Sequence, residues 1–204
     1  MSRAKPDADL SARILQVALE QFARRGVHAT SIRDIAAGAK VSVGLVQHYF
    51  PTKEALCDAV HQRALAAAKA ALSVRAVEGD PIVDISERLT ALVANHFLEL
   101  RYVARGVAEG DPAALSLFAA LTELCREQLQ ILQSKGLLRE GMDLQWAALH
   151  TVLINLATVI FEPGISQELR RPFLSANQVS RWKKATTELF VRGELRAGWR
   201  TKVR

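Results

Sequence analysis

Cysteine is scarce in this chain: Cys57 and Cys125 are the only two among 204 residues. A pair so placed makes neither a disulfide framework nor a metal spacing, and reads as two reduced thiols of a cytosolic protein. Metal-ligand patterns are missing too, since no His-x-x-x-His or Glu-x-x-His occurs. There is no Gly-rich phosphate loop and no G-x-S-x-G elbow. Long hydrophobic runs are absent as well. The most apolar stretch, residues 147–161, is interrupted by His150, Thr151, Asn155 and Thr158. It falls short of the roughly 20 residues that a bilayer requires, so a buried helix is expected there. The opening MSRAKPDADL carries no apolar segment of the signal-peptide kind. These absences lead us to expect a cytoplasmic protein with no membrane partner, no cofactor, no metal site and no catalytic residue, hence not an enzyme.

What the chain does have is charge, unevenly placed. Net charge is +6. Residues 1–53 carry eight Lys+Arg against four Asp+Glu, residues 54–169 nine against 15, and residues 170–204 ten against two. Basic ends around an acidic middle suggest two electrostatic roles, the basic parts suiting a polyanion; a merely solvated face is the plainer reading. The Arg/Lys-rich tail, Arg192 to Arg204, is most simply a solvated end, with unspecific attraction to DNA as the alternative.

Nearly all the periodicity is helical. Leu10, Ile14, Val17, Ala18 and Phe22 follow the i, i+3, i+4 rule, predicting a helix over 9–25 closed by Gly26. Thr30 or Ser31 caps a second, short helix with Ile32, Ile35, Ala36 and Ala39 on one face. Lys40-Val41 is the turn, Ser42 caps a third helix that Pro51 stops, and Thr52 caps a fourth running to about Val77. Glu78-Gly79-Asp80-Pro81 breaks it. Further helices are expected at about 82–108 with an interruption near Gly106, at 112–135 closed by Gly136, from Asp143 to just before Pro163-Gly164, and from Ser175 to Arg196. No stretch alternates long enough for a strand. The fold class is all-α, divided as a small domain over residues 1–55 and a larger one over 56–204.

The third helix is the odd one. VSVGLVQHYFPTK, residues 41–53, allows barely two turns, and isolated helices that short are marginal. Ile35, Ala36, Val41, Val46 and Phe50 supply a small shared core with the second helix, Ala36 permitting a close crossing. That leaves Val43, Gly44, Gln47 and His48 outward and Tyr49 at the edge. This is the layout of a helix-turn-helix whose second helix enters a DNA major groove. The helix is then short because only its first turns reach base edges. Gly44 is bare where the groove wall comes close, and Gln47 suits an adenine edge. Val43 or Leu45 suits a thymine methyl, although Leu45 serves equally as packing. Thr30, His48, Tyr49 and Lys53 suit phosphate oxygens, and Ser31 beside them is part of the same candidate surface. Backbone N–H groups at Ser42 and Thr52 add phosphate donors.

Thr30-Ser31-Ile32-Arg33-Asp34-Ile35-Ala36, Val41-Ser42-Val43-Gly44 and His48-Tyr49-Phe50-Pro51-Thr52-Lys53-Glu54-Ala55-Leu56 resemble the N-terminal domain of tetracycline-repressor (TetR) family regulators, over residues 10–60. The resemblance implies base contacts from Arg33 and residues 43–48, with phosphate contacts from Thr30, Ser42, Tyr49 and Lys53. It also implies a homodimer, a divergent helical C-terminal domain, and double-stranded operator DNA released when a small-molecule effector binds. Two departures stand out. Lys40 replaces the usual turn glycine and must accept a left-handed backbone. Gln47 stands where the family more often has an aromatic residue.

Beyond residue 56, Asn95, His96, Arg101, Tyr102, Glu109, His150 and Asn155 are polar groups among Leu, Val and Phe. Buried polar groups must be paired, so they either bond one another or line an effector cavity. The helices at 143–161 and 176–191 are the candidate dimer elements, the first being apolar on more than one face through Trp146, Leu149, Leu153, Leu156 and Ile160. A monomer core is the competing explanation.

Overall fold

The computed structural model describes residues 4–72 and 81–193, with side chains at 9–72 and 84–190. The expected end of the fourth helix near Val77, the Glu78-Gly79-Asp80 break, the end of the last helix at Arg196 and the basic tail lie outside the described residues, apart from the first residues of that tail, whose backbone alone is described. Ten helices and no strand occur among them, so the all-α expectation holds. They are α1 (Ala4–Arg25), α2 (Ile32–Gly38), α3 (Val43–Tyr49), α4 (Lys53–Leu72), α5 (Pro81–Asn95), α6 (Phe97–Glu109), α7 (Pro112–Ser134), α8 (Leu144–Ile160), α9 (Glu162–Glu168) and α10 (Ala176–Gly193). No single described helix is long and apolar enough to cross a membrane.

The helices form two compact units. One comprises residues 1–66 and 98–117, the other 67–97 and 118–204. This partition is not a single cut at residue 55. The first unit takes in most of α4 and nearly all of α6, because polar pairs tie the two helices: Arg63 Nε donates to Glu99 Oε1 at 3.0 Å, and the Tyr102 hydroxyl lies 2.7 Å from His61 Nε2. Its core is fully buried at Ile14, Leu19, Phe22, Ile35, Val46, Leu56 and Val60. Gln21 Nε2 reaches from α1 to the Asp34 carbonyl at 3.0 Å, and Arg105 Nη1 from α6 to the Arg24 carbonyl at 3.3 Å.

The second unit buries Leu92, Val93, Ala148, Val152, Leu156, Val159 and Phe173. The Phe173 ring meets Trp182 edge-on, centroids 5.9 Å apart.

Three features differ from expectation. The helix over 82–108 is interrupted at His96 rather than at Gly106, which lies inside α6 and is buried. Gly106 answers a packing need instead: a Cβ there would stand 2.5 Å from Ala114 Cβ, so α6 and the start of α7 approach more closely than any side chain permits. Second, the helix opened by Asp143 ends at Ile160, before Pro163-Gly164 as expected, but an unexpected short helix follows: Pro163 and Gly164 lie in the first turn of α9, where proline's missing N–H is no loss. Third, α1 begins at Ala4 rather than residue 9.

The α2–α3 turn matches the sequence reading. Lys40 has φ 55°, and its N–H donates to the Ala37 carbonyl while Val41 N–H donates to Ala36, closing α2. A left-handed L-residue costs about 1 kcal/mol or more, part of which glycine returns as unfolded-state entropy. Lys40→Gly should therefore raise the unfolding free energy by about 0.5–1 kcal/mol in urea titration; an unchanged or lowered value contradicts strain at this turn.

Candidate nucleic-acid interface

Local hydrogen bonds fix both short helices at their first turns. Ser31 caps α2: its hydroxyl accepts the Asp34 N–H at 3.2 Å, while its own N–H donates to Asp34 Oδ2 at 2.8 Å. Bonds from the Ser31 hydroxyl, then from its backbone N–H, and the nearby charge of Arg25 hold the Asp34 carboxyl below the usual carboxylate range. Ser42 caps α3 by accepting the Leu45 N–H at 3.2 Å. Thr52 does the same for Ala55 at 3.1 Å. Bonds from Glu54's own N–H and then from the Thr52 hydroxyl hold the Glu54 carboxyl below the usual carboxylate range.

Between these caps the side chains sort by face. Ile35, Ala36, Ala39 and Val46 are at most 2% exposed. Arg33, Ser42, Val43, Gly44, Gln47 and His48 are exposed, and Leu45, Tyr49 and Lys53 are half-buried. The His48 and Tyr49 rings stand edge to face, centroids 5.3 Å apart. A Cβ built on Gly44 would meet nothing within 4 Å. No packing within the chain therefore demands a glycine there, and the bare backbone faces outward.

Two of the expected backbone-contacting hydroxyls are engaged internally. Thr30 is fully buried; its Oγ1 donates to the Gly26 carbonyl at 2.8 Å and its N–H to Val27 at 3.2 Å. Thr30 is thus removed from the outward surface: it locks the α1–α2 loop. The Ser31 hydroxyl, though exposed, donates to Asp34 Oδ2 at 2.6 Å besides accepting its N–H. Asp34 was missed as a functional partner in the sequence, although Ser-x-x-Asp at a helix start is a readable signal.

The seven polar residues proposed for an effector do not share one cavity. Asn95 and His150 are exposed, the latter beside the exposed Trp146 ring at 5.7 Å. His96 is half-buried at the α5–α6 break. In the first unit, Arg101 is half-buried, while Tyr102 and Glu109 line a pocket of about 10 Å³, which is room for about one water. Glu109 pairs with Arg105 at 2.9 Å. Only Asn155, 5% exposed, lines the larger cavity of the second unit, with Thr151, Gln128, Cys125 and Trp182 among its neighbours. The Leu and Ile residues of that lining are indistinguishable from core in the sequence. Among the described residues no group of three or more His, Cys, Asp and Glu is placed to hold a metal ion.

A short capped helix, clamped on its partner and presenting a polar outer face, defines a helix-turn-helix protein. Residues 14–60 match the family model described as bacterial regulatory proteins, tetR family. Over 52 residues the chain is 56% identical to an HTH-type transcriptional repressor of Mycobacterium tuberculosis, a stretch covering 26% of this chain and 28% of that protein. The chain thus spans little more than a quarter of the length of the first curated relatives it matches. The regulator UidR of Escherichia coli K12 is 27% identical over 170 residues, 78% of this chain and 83% of UidR. A solved structure described as the molecular basis for control of antibiotic production by a bacterial hormone has a TM-score of 0.65 and 28% identity, covering 92% of this chain and 98% of that one. Residues 14–60, the helix-turn-helix region, thus match the tetR family of bacterial regulatory proteins, and the similarities to UidR and to that solved structure run well beyond them.

The His61–Tyr102 pair gives the first unit a pH dependence. Burial lowers the His61 pKa from its ordinary 6.5, and the charges of Asp111 and Asp58 oppose this only in part. A depressed histidine leaves the folded state slower to take up a proton, so stability is full above about pH 6.5 and is lost as pH falls through that value. His61→Gln should flatten the fall in melting temperature between pH 7.5 and 5.5 relative to the unaltered protein. Parallel curves for the two proteins contradict the assignment.

Proposed function

We propose that the protein is a sequence-specific DNA-binding transcription regulator: a homodimeric repressor that a small molecule releases from a palindromic operator. The observation that carries this reading is the outer face of α3, where Val43, Gly44, Gln47 and His48 are exposed while Val46 beneath them is fully buried. Arg33 and residues 43–48 are the base-facing groups, with Leu45 contributing from a half-buried position. Ser42, Tyr49 and Lys53 meet phosphates, Ser31 through its exposed position at the α2 cap. Residues 1–55 form the reading head and residues 56–204 the effector and dimer part. The relatives named as repressor and regulators support the regulatory role. The neighbour described by its bacterial hormone supports a small-molecule effector, for which the cavity at Asn155 is the candidate site. A regulator of this kind works in the cytoplasm, beside its DNA, and we assign it no enzymatic activity.

Dimerisation follows from readout. One two-turn helix covers too few base pairs for tight specificity, whereas two related by a two-fold axis read half-sites about 34–36 Å apart or a multiple of it. The helices at 143–161 and 176–191 supply the contact. On α8, Trp146, Leu153 and the following Phe161 are 56%, 47% and 67% exposed, and Leu189 of α10 is 59% exposed. Large apolar groups grouped in this way on a helix face suit a partner surface. An effector that prefers the spacing unable to meet both half-sites shifts the population and releases DNA.

Binding to a duplex selected from a random pool, followed by fluorescence anisotropy against salt, tests the head. Lys53→Ala should weaken binding to every duplex and reduce the salt slope by about one. Gln47→Ala should lose about 1–3 kcal/mol of discrimination at one position per half-site. A pool that returns no preferred palindrome would defeat the specific-regulator reading. For the dimer, Leu153→Glu should sediment as a monomer at micromolar concentration with its helical content retained; a persistent dimer places the interface elsewhere.

A further inference from the structure

The second unit holds a partly open cavity with about 80 Å³ of room for the centres of water-sized molecules, several times the roughly 10–15 Å³ that one water needs. Eight of the 17 residues on its wall carry polar side chains, although most of the surface facing the cavity is apolar. Those polar groups have unequal freedom. Thr90 Oγ1 donates to the Ser86 carbonyl at 2.7 Å, and Thr151 Oγ1 to the Ala147 carbonyl at 3.0 Å. Gln128 Nε2 donates to the Leu72 carbonyl at 3.1 Å, while its Oε1 accepts from Arg88 Nη2 at 3.2 Å. The Ser86 and Thr187 hydroxyls bond each other. Lys183, the one cationic side chain among the described residues of the wall, lies 3.6 Å from Glu87.

Asn155 differs from all of these. Its Nδ2 donates to the Thr151 carbonyl at 2.7 Å, which fixes the amide orientation and leaves Oδ1 as an acceptor. That oxygen is buried and receives no hydrogen bond from any group among the described residues. A buried acceptor without a donor is costly, and a ligand that fills the cavity removes that cost only by bringing a donor of its own.

We propose that this cavity takes an uncharged, largely apolar molecule carrying a hydroxyl or N–H group, and that Asn155 Oδ1 accepts its hydrogen bond. The proposal rests on the effector reading above and gives that effector its chemical class. An acceptor-only molecule of the same shape places its oxygen against Oδ1 and leaves that acceptor without a partner. A carboxylate fares worse, because it is desolvated among apolar walls beside a lysine that already has a counter-charge.

The matched probes 2-octanol, 2-octanone and octanoate share one chain length and separate these cases. Calorimetric titration of the full-length protein at neutral pH, without DNA, should show 2-octanol bound at least about fivefold more tightly than 2-octanone, the margin of one neutral hydrogen bond, with octanoate weakest. Asn155→Leu keeps the γ-branched side-chain shape and removes the acceptor, so the alcohol–ketone difference should vanish. Equal or reversed order on the unaltered protein, octanoate as the tightest probe, no saturable binding of 2-octanol, or a preference that survives Asn155→Leu would each overturn the proposal. The order on the unaltered protein stands whether or not the variant folds. Adding 2-octanol to the preformed DNA complex then tests the separate claim: binding in the stated order without DNA release keeps the ligand class and removes the effector role.

Discussion

Four small apolar side chains hold the reading head in shape. Ile35, Ala36 and Ala39 of α2 and its end close on Val46 of α3, each at most 2% exposed. Neither helix exceeds seven residues, and in isolation neither would persist, since helix nucleation costs more than two turns return. Burying one large aliphatic side chain contributes about 1.5–3 kcal/mol, which is enough to tip so small a unit. The same burial fixes rotation. With Val46 turned inward, helical geometry leaves Val43, Gly44 and Gln47 no place but outside, so the stabilising contact and the outward display are one constraint.

Much of this was legible in the sequence because it is local. Ser42 and Thr52 announce helix starts through a bond that spans three residues, Lys40 sits where a tight turn requires a positive φ, and the period of Ile32, Ile35, Ala36 and Ala39 marks one face. What depends on distant partners was not legible. Gly106 looks like a helix breaker until Ala114 is placed against it. Thr30 looks like a surface hydroxyl until the Gly26 carbonyl turns towards it. Polarity within an apolar stretch likewise marked His150 and Asn155 alike, yet one is exposed beside Trp146 and the other is buried at a cavity. Sequence periodicity does not tell which of two apolar faces on α8 meets the core and which lies open.

The two units follow different rules. The first is stitched by specific polar pairs, Arg63 with Glu99 and Tyr102 with His61, over a tight core. The second is dominated by aliphatic packing and leaves a space in it. Close-packed interiors rarely keep voids much larger than a water, and maintaining one costs stability. A unit that tolerates the space, with an orphan acceptor at its wall, is organised for something other than its own stability.

Backbone amide shifts of the full-length protein, followed as the selected duplex is added, test the central claim most directly. The account predicts the largest changes at Arg33 and residues 42–48, with the buried methyl groups of Ile35, Ala36 and Val46 keeping their mutual contacts. Changes centred on any other surface, or loss of those methyl contacts on binding, would contradict it.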